Sequence, residues 1–357
     1  MNKSNGRSAV VTRMGLDLAK NVFQAHGVDV KGDVVLVRKI RRRELLRFAA
    51  KLAPCEIAME ACSSAHHWAR ELSALGHSVK LIPPAHVKPY VRRNKNDAAD
   101  AAAICEAAMR PGQRFTLVRS VENQAQLMRH RVRDQLVGQR TALLNGLRGH
   151  LSEIGVVAAQ GAQNAYRLKR MLIDGVDEDG VIQVPEYVRK VLAPLAKQID
   201  ALDAAIETID KDLAAEAKAD DESRRLMSIP GIGPVTASAI VATVPDMSAF
   251  ASGREFSAFL GLTPRQHSSG GKERLGRITK MGDRYLRRLL VVGATAVLHH
   301  AAGHNDPLRR WAKQMLERKG GRAGFKLTAV ALANKLARIA FAVLRSGDVY
   351  DDQPVAA

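Results

Sequence analysis

Met14-Gly15-Leu16-Asp17-Leu18-Ala19-Lys20 is the segment on which the fold of this chain turns. It lies in residues 9–40, where apolar and polar positions alternate, Val-rich runs recur, and Gly27 and Gly32 punctuate the pattern. A period of two belongs to strands. The stretch is therefore predicted to form two or three strands joined by tight turns, the first ending on a carboxylate. Outward from it, Arg43 to Leu52 reads as a helix and Glu56-Ile57-Ala58-Met59-Glu60 as a short buried strand. Ser64 to Leu75 reads as a helix stopped by Gly76, and Ser78 to Ile82 as another strand. Pro83-Pro84 breaks the chain before an Ala-rich helix over Asp97 to Met109. The order β-β-β-α-β-α-β-α predicts a mixed α/β domain over residues 1–112.

The pattern then changes. Val188, Leu192, Leu195, Ile199, Leu202, Ile206, Ile209 and Leu213 recur at alternating spacings of four and three, a heptad seam. Pro194 near its start is expected to kink or delay that helix. Residues 120–155 carry a weaker helical pattern, with an acidic, Gly-containing stretch around Asp174–Gly180 between the two. Residues 113–222 are thus expected to form a long antiparallel helical coiled coil. From Ser223 to the end (223–357) the chain reads as helical and basic with Gly-rich interruptions.

The 357 residues are 46% hydrophobic, enough to bury a core. The formal net charge of +19 points to a polyanionic partner rather than to a fold. No cationic amphipathic helix or lipidation signal favours a membrane surface, and no run approaches the ~18–20 uninterrupted apolar residues of a span. The N-terminal MNKSNGR lacks the apolar core of a signal peptide. Cys55, Cys62 and Cys105 match no zinc spacing and are expected to be reduced structural thiols. A cytoplasmic location is the expectation.

Four acids stand where metal chemistry needs them. Asp17 ends the first strand and Glu60 ends the strand 56–60. Asp97 and Asp100 are three residues apart, so their carboxylates share one helix face. Phosphodiester chemistry favours two hard divalent cations about 3.5–4 Å apart, held by carboxylates from several elements. Taken singly, Asp17 could stabilise a turn and Asp97 could cap its helix. Glu60 is less easily explained that way, because an unpaired carboxylate after Ile57-Ala58-Met59 is costly.

Gly15-Leu16-Asp17-Leu18-Ala19-Lys20, Met59-Glu60-Ala61 and Lys95-Asn96-Asp97-Ala98-Ala99-Asp100-Ala101 together resemble the DEDD transposase family of insertion sequences. The resemblance implies an N-terminal domain similar to the RuvC Holliday-junction resolvase, with a ribonuclease-H-like fold. It implies that Asp17, Glu60, Asp97 and Asp100 are the metal-binding catalytic acids, holding Mg2+, two ions by the chemistry above.

A second signal is Ile229-Pro230-Gly231-Ile232-Gly233-Pro234. A Gly-x-Gly turn between short helices frees backbone N–H groups for a phosphate, and the next helix N-terminus adds its dipole. This looks like a helix-hairpin-helix motif, with Gly231 and Gly233 as DNA contacts; a plain helix connector is the simpler alternative. From Thr263 to Leu289, eight cations (Arg265, Lys272, Arg274, Arg277, Lys280, Arg284, Arg287, Arg288) face two acids (Glu273, Asp283). Such one-sided charge on a loop and the helix after it predicts a phosphate-binding surface, with Lys272, Arg277, Lys280, Arg284 and Arg287 as DNA contacts. Ser268-Ser269-Gly270-Gly271 lies within it and by itself reads as a loop. The family carries a catalytic serine in a Pro-x-x-x-x-Ser-Gly context, implied to form a phosphoserine link to DNA. Counted from Pro264, Ser269 fits that register and Ser268 falls one short; Ser268 remains the alternative.

The resemblance covers nearly the whole chain and implies a recombinase that excises and inserts an insertion sequence. It also implies a guide RNA, donor and target DNA, and dimers pairing into tetramers. A junction-resolving nuclease using metal-activated water would need the acids and no serine. A non-catalytic DNA-binding scaffold would leave the acids without a role, and Glu60→Gln would leave its function whole. Trp311, in the basic stretch Ala301 to Lys326, is expected to be a packing residue.

Overall fold

The computed structural model of the chain describes residues 10–91, 97–177, 180–268, 272, 274–304 and 306–351. Contacts divide it into two compact units, Met1–Val121 and Glu122–Ala357.

In the first unit, β1 (Arg13–Asp17), β2 (Val22–Val28), β3 (Val34–Arg41), β4 (Glu56–Glu60) and β5 (Ser78–Ile82) form one sheet in the order β3-β2-β1-β4-β5. The first three strands are antiparallel neighbours, and β4 and β5 add in parallel, so the mixed sheet read from the sequence is present. Four helices accompany it: α1 (Leu45–Ala49), α2 (Ala65–Ala74), the short α3 (Pro84–Val87) and α4 (Asp97–Met109).

Period two sorts the strand residues between the faces. Met14, Leu16, Ile57 and Met59 pack with Leu45 and Ala49 of α1 and Ala65, Trp68 and Leu72 of α2. Ala58 and Ile82 pack on the other side with Ala103, Ile104 and Ala107 of α4. Both faces are covered, which is why β4 reads as an unbroken apolar run ending on an acid.

The second unit begins with two long helices, α5 (Val121–Ser152) and, after α6 (Ala162–Asp174), α7 (Glu186–Ala219). Arg129 pairs with Glu216, Arg133 with Asp210, and Arg140 with Asp203, so α5 and α7 run antiparallel. Leu192, Ile199, Leu202, Ile206 and Leu213 of the seam are buried. At the far end, Leu144, Leu147 and Leu151 meet Leu192, Ala196 and Ile199 across Ala165, Leu168 and Leu172 of α6. The seam alone did not predict this third helix, and it closes the pair into a three-helix cluster. Pro194 does not delay α7, which starts at Glu186 behind Pro185. Its missing N–H falls within the first three turns, and the helix continues through it.

The remainder is helical: α8 (Asp221–Met227), α9 (Pro234–Thr243), α10 (Gly253–Phe259), α11 (Arg284–His299), α12 (Pro307–Arg318) and α13 (Phe325–Ser346), with a two-stranded hairpin of β6 (Pro264–Gln266) and β7 (Leu275–Ile278). Gly321–Ser346 is long and apolar enough to cross a membrane. Its Leu332, Ala333, Leu336, Ala337 and Ala340 are instead buried among the other helices of this core. Trp311 packs on that core beneath the Lys335 ammonium, 4.7 Å from the ring centroid, as a packing residue should.

One buried polar cluster ties α5 to this core. His130 is 1% exposed, with Nε2 2.9 Å from Ser238 Oγ on α9 and Nδ1 3.2 Å from the Tyr285 hydroxyl on α11. Burial, then the Arg133 and Arg129 charges, lower its pKa from 6.5 to about 4. A group held neutral this way takes up its proton more readily when unfolded. Stability is therefore highest above pH 6.5 and declines as pH falls toward 4, by about 3 kcal/mol from this residue. Thermal unfolding of wild type and His130→Gln across pH 4–7 tests this. The wild type is expected to lose more stability on acidification, and equal losses would refute the assignment.

Candidate active site and nucleic-acid interface

Asp17 is the last residue of β1 and Glu60 the last of β4. These strands are parallel neighbours with Leu16 beside Met59, so both acids leave the same end of the sheet. Gly15 and Ala58, two residues before each acid, lie in register, and both face α4. A Cβ on Gly15 would overlap the carbonyl oxygen of Ala101 and sit 2.6 Å from the amide nitrogen of Cys105. The glycine is what lets α4 lie directly on β1.

The helix runs against the strand. Cys105 lies near Arg13 and Glu56 at the starts of β1 and β4, so the first turn of α4 points to their ends. That turn carries Asp97 and Asp100. All four acids thus lie at one end of one sheet face, on three elements. Asp17, Glu60 and Asp100 are half-buried and Asp97 is exposed. Acids in a first turn also suit the helix dipole, so that role and ligation coexist in Asp97 and Asp100.

Gly15→Ala follows directly from this packing. It is expected to force α4 off β1 and to cost several kcal/mol, within the roughly 1–3 kcal/mol or more of overpacking. Thermal unfolding would show it, and a variant as stable as wild type would refute the close approach.

Cys62 lies next to the acids. Burial, then the charges of Glu60 and Asp17, push its thiol up. No cysteine forms a disulfide; Cys55 and Cys105 are buried, while Cys62 is exposed rather than a core thiol. Among the described residues, no three His, Cys, Asp or Glu side chains are gathered closely enough to hold a metal ion. The donors nonetheless suit a hard divalent cation: they are carboxylates from separate elements. Beside them Gln24 of β2 buries an Oε1 that accepts no hydrogen bond among the described residues. An orphaned acceptor next to carboxylates is what a cation or its water would satisfy.

In the second unit Ser268 follows β6, in the chain between β6 and β7. His267 N–H donates to the Arg274 carbonyl at 2.8 Å, and Arg274 N–H donates to Ser268 Oγ at 3.1 Å. Ser269 lies outside the described residues, as do Gly270, Gly271 and Glu273. The hairpin was missed in the sequence because its strands are short and exposed and show no buried alternation. A Gly-Gly pair between them was the available signal.

Lys272, Arg277, Lys280 and Arg284 are exposed. Lys280 holds a left-handed φ of 56° just before α11. Arg287 differs: its guanidinium donates to the Leu260 carbonyl at 2.9 Å, closing the end of α10. Arg288 pairs with Asp134.

Residues 228–233 connect α8 to α9. Gly231, at φ 87°, turns inward, and its backbone meets Gly293 of α11 so closely that neither position admits a Cβ. Its need for glycine is thereby explained by packing. Gly233 is exposed with open space around it, immediately before the first turn of α9.

Comparison with known proteins bears on both segments. Residues 14–156 match the family model described as "DEDD_Tnp_IS110: Transposase", and residues 223–309 match "Transposase IS116/IS110/IS902 family". The chain is 46% identical over 340 residues to the probable family 20 transposase of Pseudomonas aeruginosa, covering 95% of this chain and 98% of that one. It is 40% identical to the transposase for insertion sequence element IS1111A of Coxiella burnetii, covering 94% and 90%. It is also 40% identical to the transposase for insertion sequence element IS1328 of Yersinia enterocolitica, covering 95% and 98%. With the acids on one sheet end and relatives of this identity along nearly its whole length, the chain belongs to the IS116/IS110/IS902 family of DEDD transposases.

Proposed function

We propose that this transposase excises and inserts its insertion sequence through a phosphoserine intermediate, using a divalent-cation site in the first unit. The observation that carries this reading is the placement of Asp17, Glu60, Asp97 and Asp100 at one end of one sheet face. The chain is read in three parts: a RuvC-like domain (1–112), an antiparallel helical spacer of coiled-coil type (113–222) and a C-terminal transposase domain (223–357). The four acids would hold Mg2+, as a pair of ions. When bound, such an ion neutralises charge on the phosphodiester and on the departing oxygen.

The remaining steps belong to side chains. Ser269, with Ser268 as alternative, gives up its hydroxyl proton to a base and attacks phosphorus. The bond from phosphorus to a deoxyribose oxygen breaks, and that oxygen leaves protonated. A hydroxyl of the incoming strand then attacks the phosphoserine, restoring the serine and conserving the bond count.

Lys272, Arg277, Lys280 and Arg284, exposed from the hairpin to the start of α11, would hold phosphates. Arg287 supports them by fixing the end of α10. The turn Gly231–Gly233 ahead of α9 is read as a helix-hairpin-helix contact, with Gly233 the open position. A guide RNA choosing the DNA partners, a dimer that pairs into a tetramer, and a cytosolic site of action at the nucleoid complete the proposal.

The test is a joining reaction with purified protein, Mg2+, the element's flanking non-coding RNA, and labelled donor and target DNA. Recombinant strands in which donor is joined to target support the reading. Cleaved strands without joining, and no covalent protein–DNA species, would make this a hydrolytic nuclease.

A further inference from the structure

Gln24 is a residue the four-acid reading does not use. It sits directly opposite Asp17 in the antiparallel β1–β2 pair, and opposite Lys39 in the β2–β3 pair. Residues directly opposite in such pairs project from the same face. Gln24 therefore shares the α4 face with Asp17 and Glu60, one strand over. It is 4% exposed, between Phe23 and Ala25, which are fully buried on the other face.

Its Oε1 is buried and accepts no hydrogen bond among the described residues. Leaving a buried acceptor unsatisfied costs about 1–3 kcal/mol. Among the described residues, its neighbours in the sheet offer it no donor. Asp17 and Glu60 carry further acceptors. Cys62 donates to the Ser63 carbonyl at 3.5 Å. Lys39 is exposed on the edge strand and gives Oε1 no bond. A buried acceptor oxygen on the same sheet face as two carboxylates, without a donor among the described residues, has the chemistry of a cation ligand.

We propose that Gln24 is a fifth residue of the cation site, its side-chain oxygen binding the divalent ion directly or through one of the ion's waters. The assignment rests on the reading of the four acids as that site. It adds a neutral oxygen to an anionic set, tightening the site without further charge repulsion between ligands. The unbound protein bears the cost of the orphaned oxygen, and the ion relieves it.

The structural alternative is that Gln24 merely fills space beneath α4. The two roles make opposite demands on Gln24→Met, which keeps the volume and removes the orphaned acceptor. Mn2+ binding to the full-length protein without nucleic acid, read from the loss of the free-ion paramagnetic resonance signal, separates them. Thermal unfolding in EDTA is measured alongside. Wild type is expected to bind Mn2+ and Asp17→Asn to lose it. Gln24→Met should bind at least about tenfold more weakly, the loss usual for a group supporting a metal ligand set. Its melting temperature in EDTA should equal or exceed that of wild type.

Gln24→Met with wild-type Mn2+ affinity would overturn the assignment while leaving the four-acid site standing. A wild type that binds no Mn2+ overturns both. If Gln24→Met does not fold, Gln24→Leu takes its place: weaker Mn2+ binding supports the assignment, and wild-type binding overturns it.

Discussion

Ser269→Ala is expected to abolish the covalent protein–DNA species and to lower strand joining by on the order of 10³-fold or more, the scale on which an enzyme loses its nucleophile. The physical ground is the absence of a substitute. Alanine offers no oxygen, and Ser268 next to it already accepts from the Arg274 amide, 3.1 Å away in the hairpin. Lys272, Arg277 and Arg284 remain in place, so DNA binding should be unchanged within a factor of a few. Peptide mapping of the trapped adduct checks the assignment. A peptide carrying the phosphate on Ser269 supports it. An adduct that survives Ser269→Ala and disappears in Ser268→Ala moves the nucleophile by one residue.

Asp17→Asn is the second large effect. Asp17 closes β1 beside Glu60, and its carboxylate faces the first turn of α4. The amide keeps shape and volume while removing one negative charge. The cation site then loses several kcal/mol of charge stabilisation in the reaction, on the order of 10³-fold in cleavage rate. The fold should persist, because the amide keeps the side chain's shape and volume. Single-turnover cleavage of labelled DNA, with melting temperature alongside, reads both quantities. A variant that cleaves at the wild-type rate would remove Asp17 from the site.

Much of the first unit was legible in the sequence because its signals are local. Alternation in residues 9–40 marks the antiparallel strands, and the apolar run Ile57-Ala58-Met59 marks a strand covered on both faces. The positions of all four acids at element ends were legible for the same reason.

What escaped depends on partners distant in the chain. Gly15 reads as any glycine in a strand until Ala101 and Cys105 are seen lying on it. Gly231 reads as a phosphate-binding turn, yet its space is taken by Gly293, some sixty residues on. Gln24 is one polar residue in an alternating strand, and its register opposite Asp17 is set by the pairing of β1 with β2. His130 sits in a helical pattern without apolar emphasis, and its role appears with Ser238 and Tyr285. The α6 helix and the β6–β7 hairpin were missed for a simpler reason: the first is short, with polar and apolar residues in nearly equal number, and the second is exposed and short.

The central claim is that the acids of the first unit and the serine of the second serve one reaction. It is tested most directly on a denaturing gel that follows one labelled element end with wild type, Asp17→Asn and Ser269→Ala, each with Mg2+ or with EDTA. A slowly migrating protein–DNA band in wild type with Mg2+, absent from every other lane, is the result expected. A band of equal strength in EDTA or in Asp17→Asn would contradict the account, because the serine would then act without the acids.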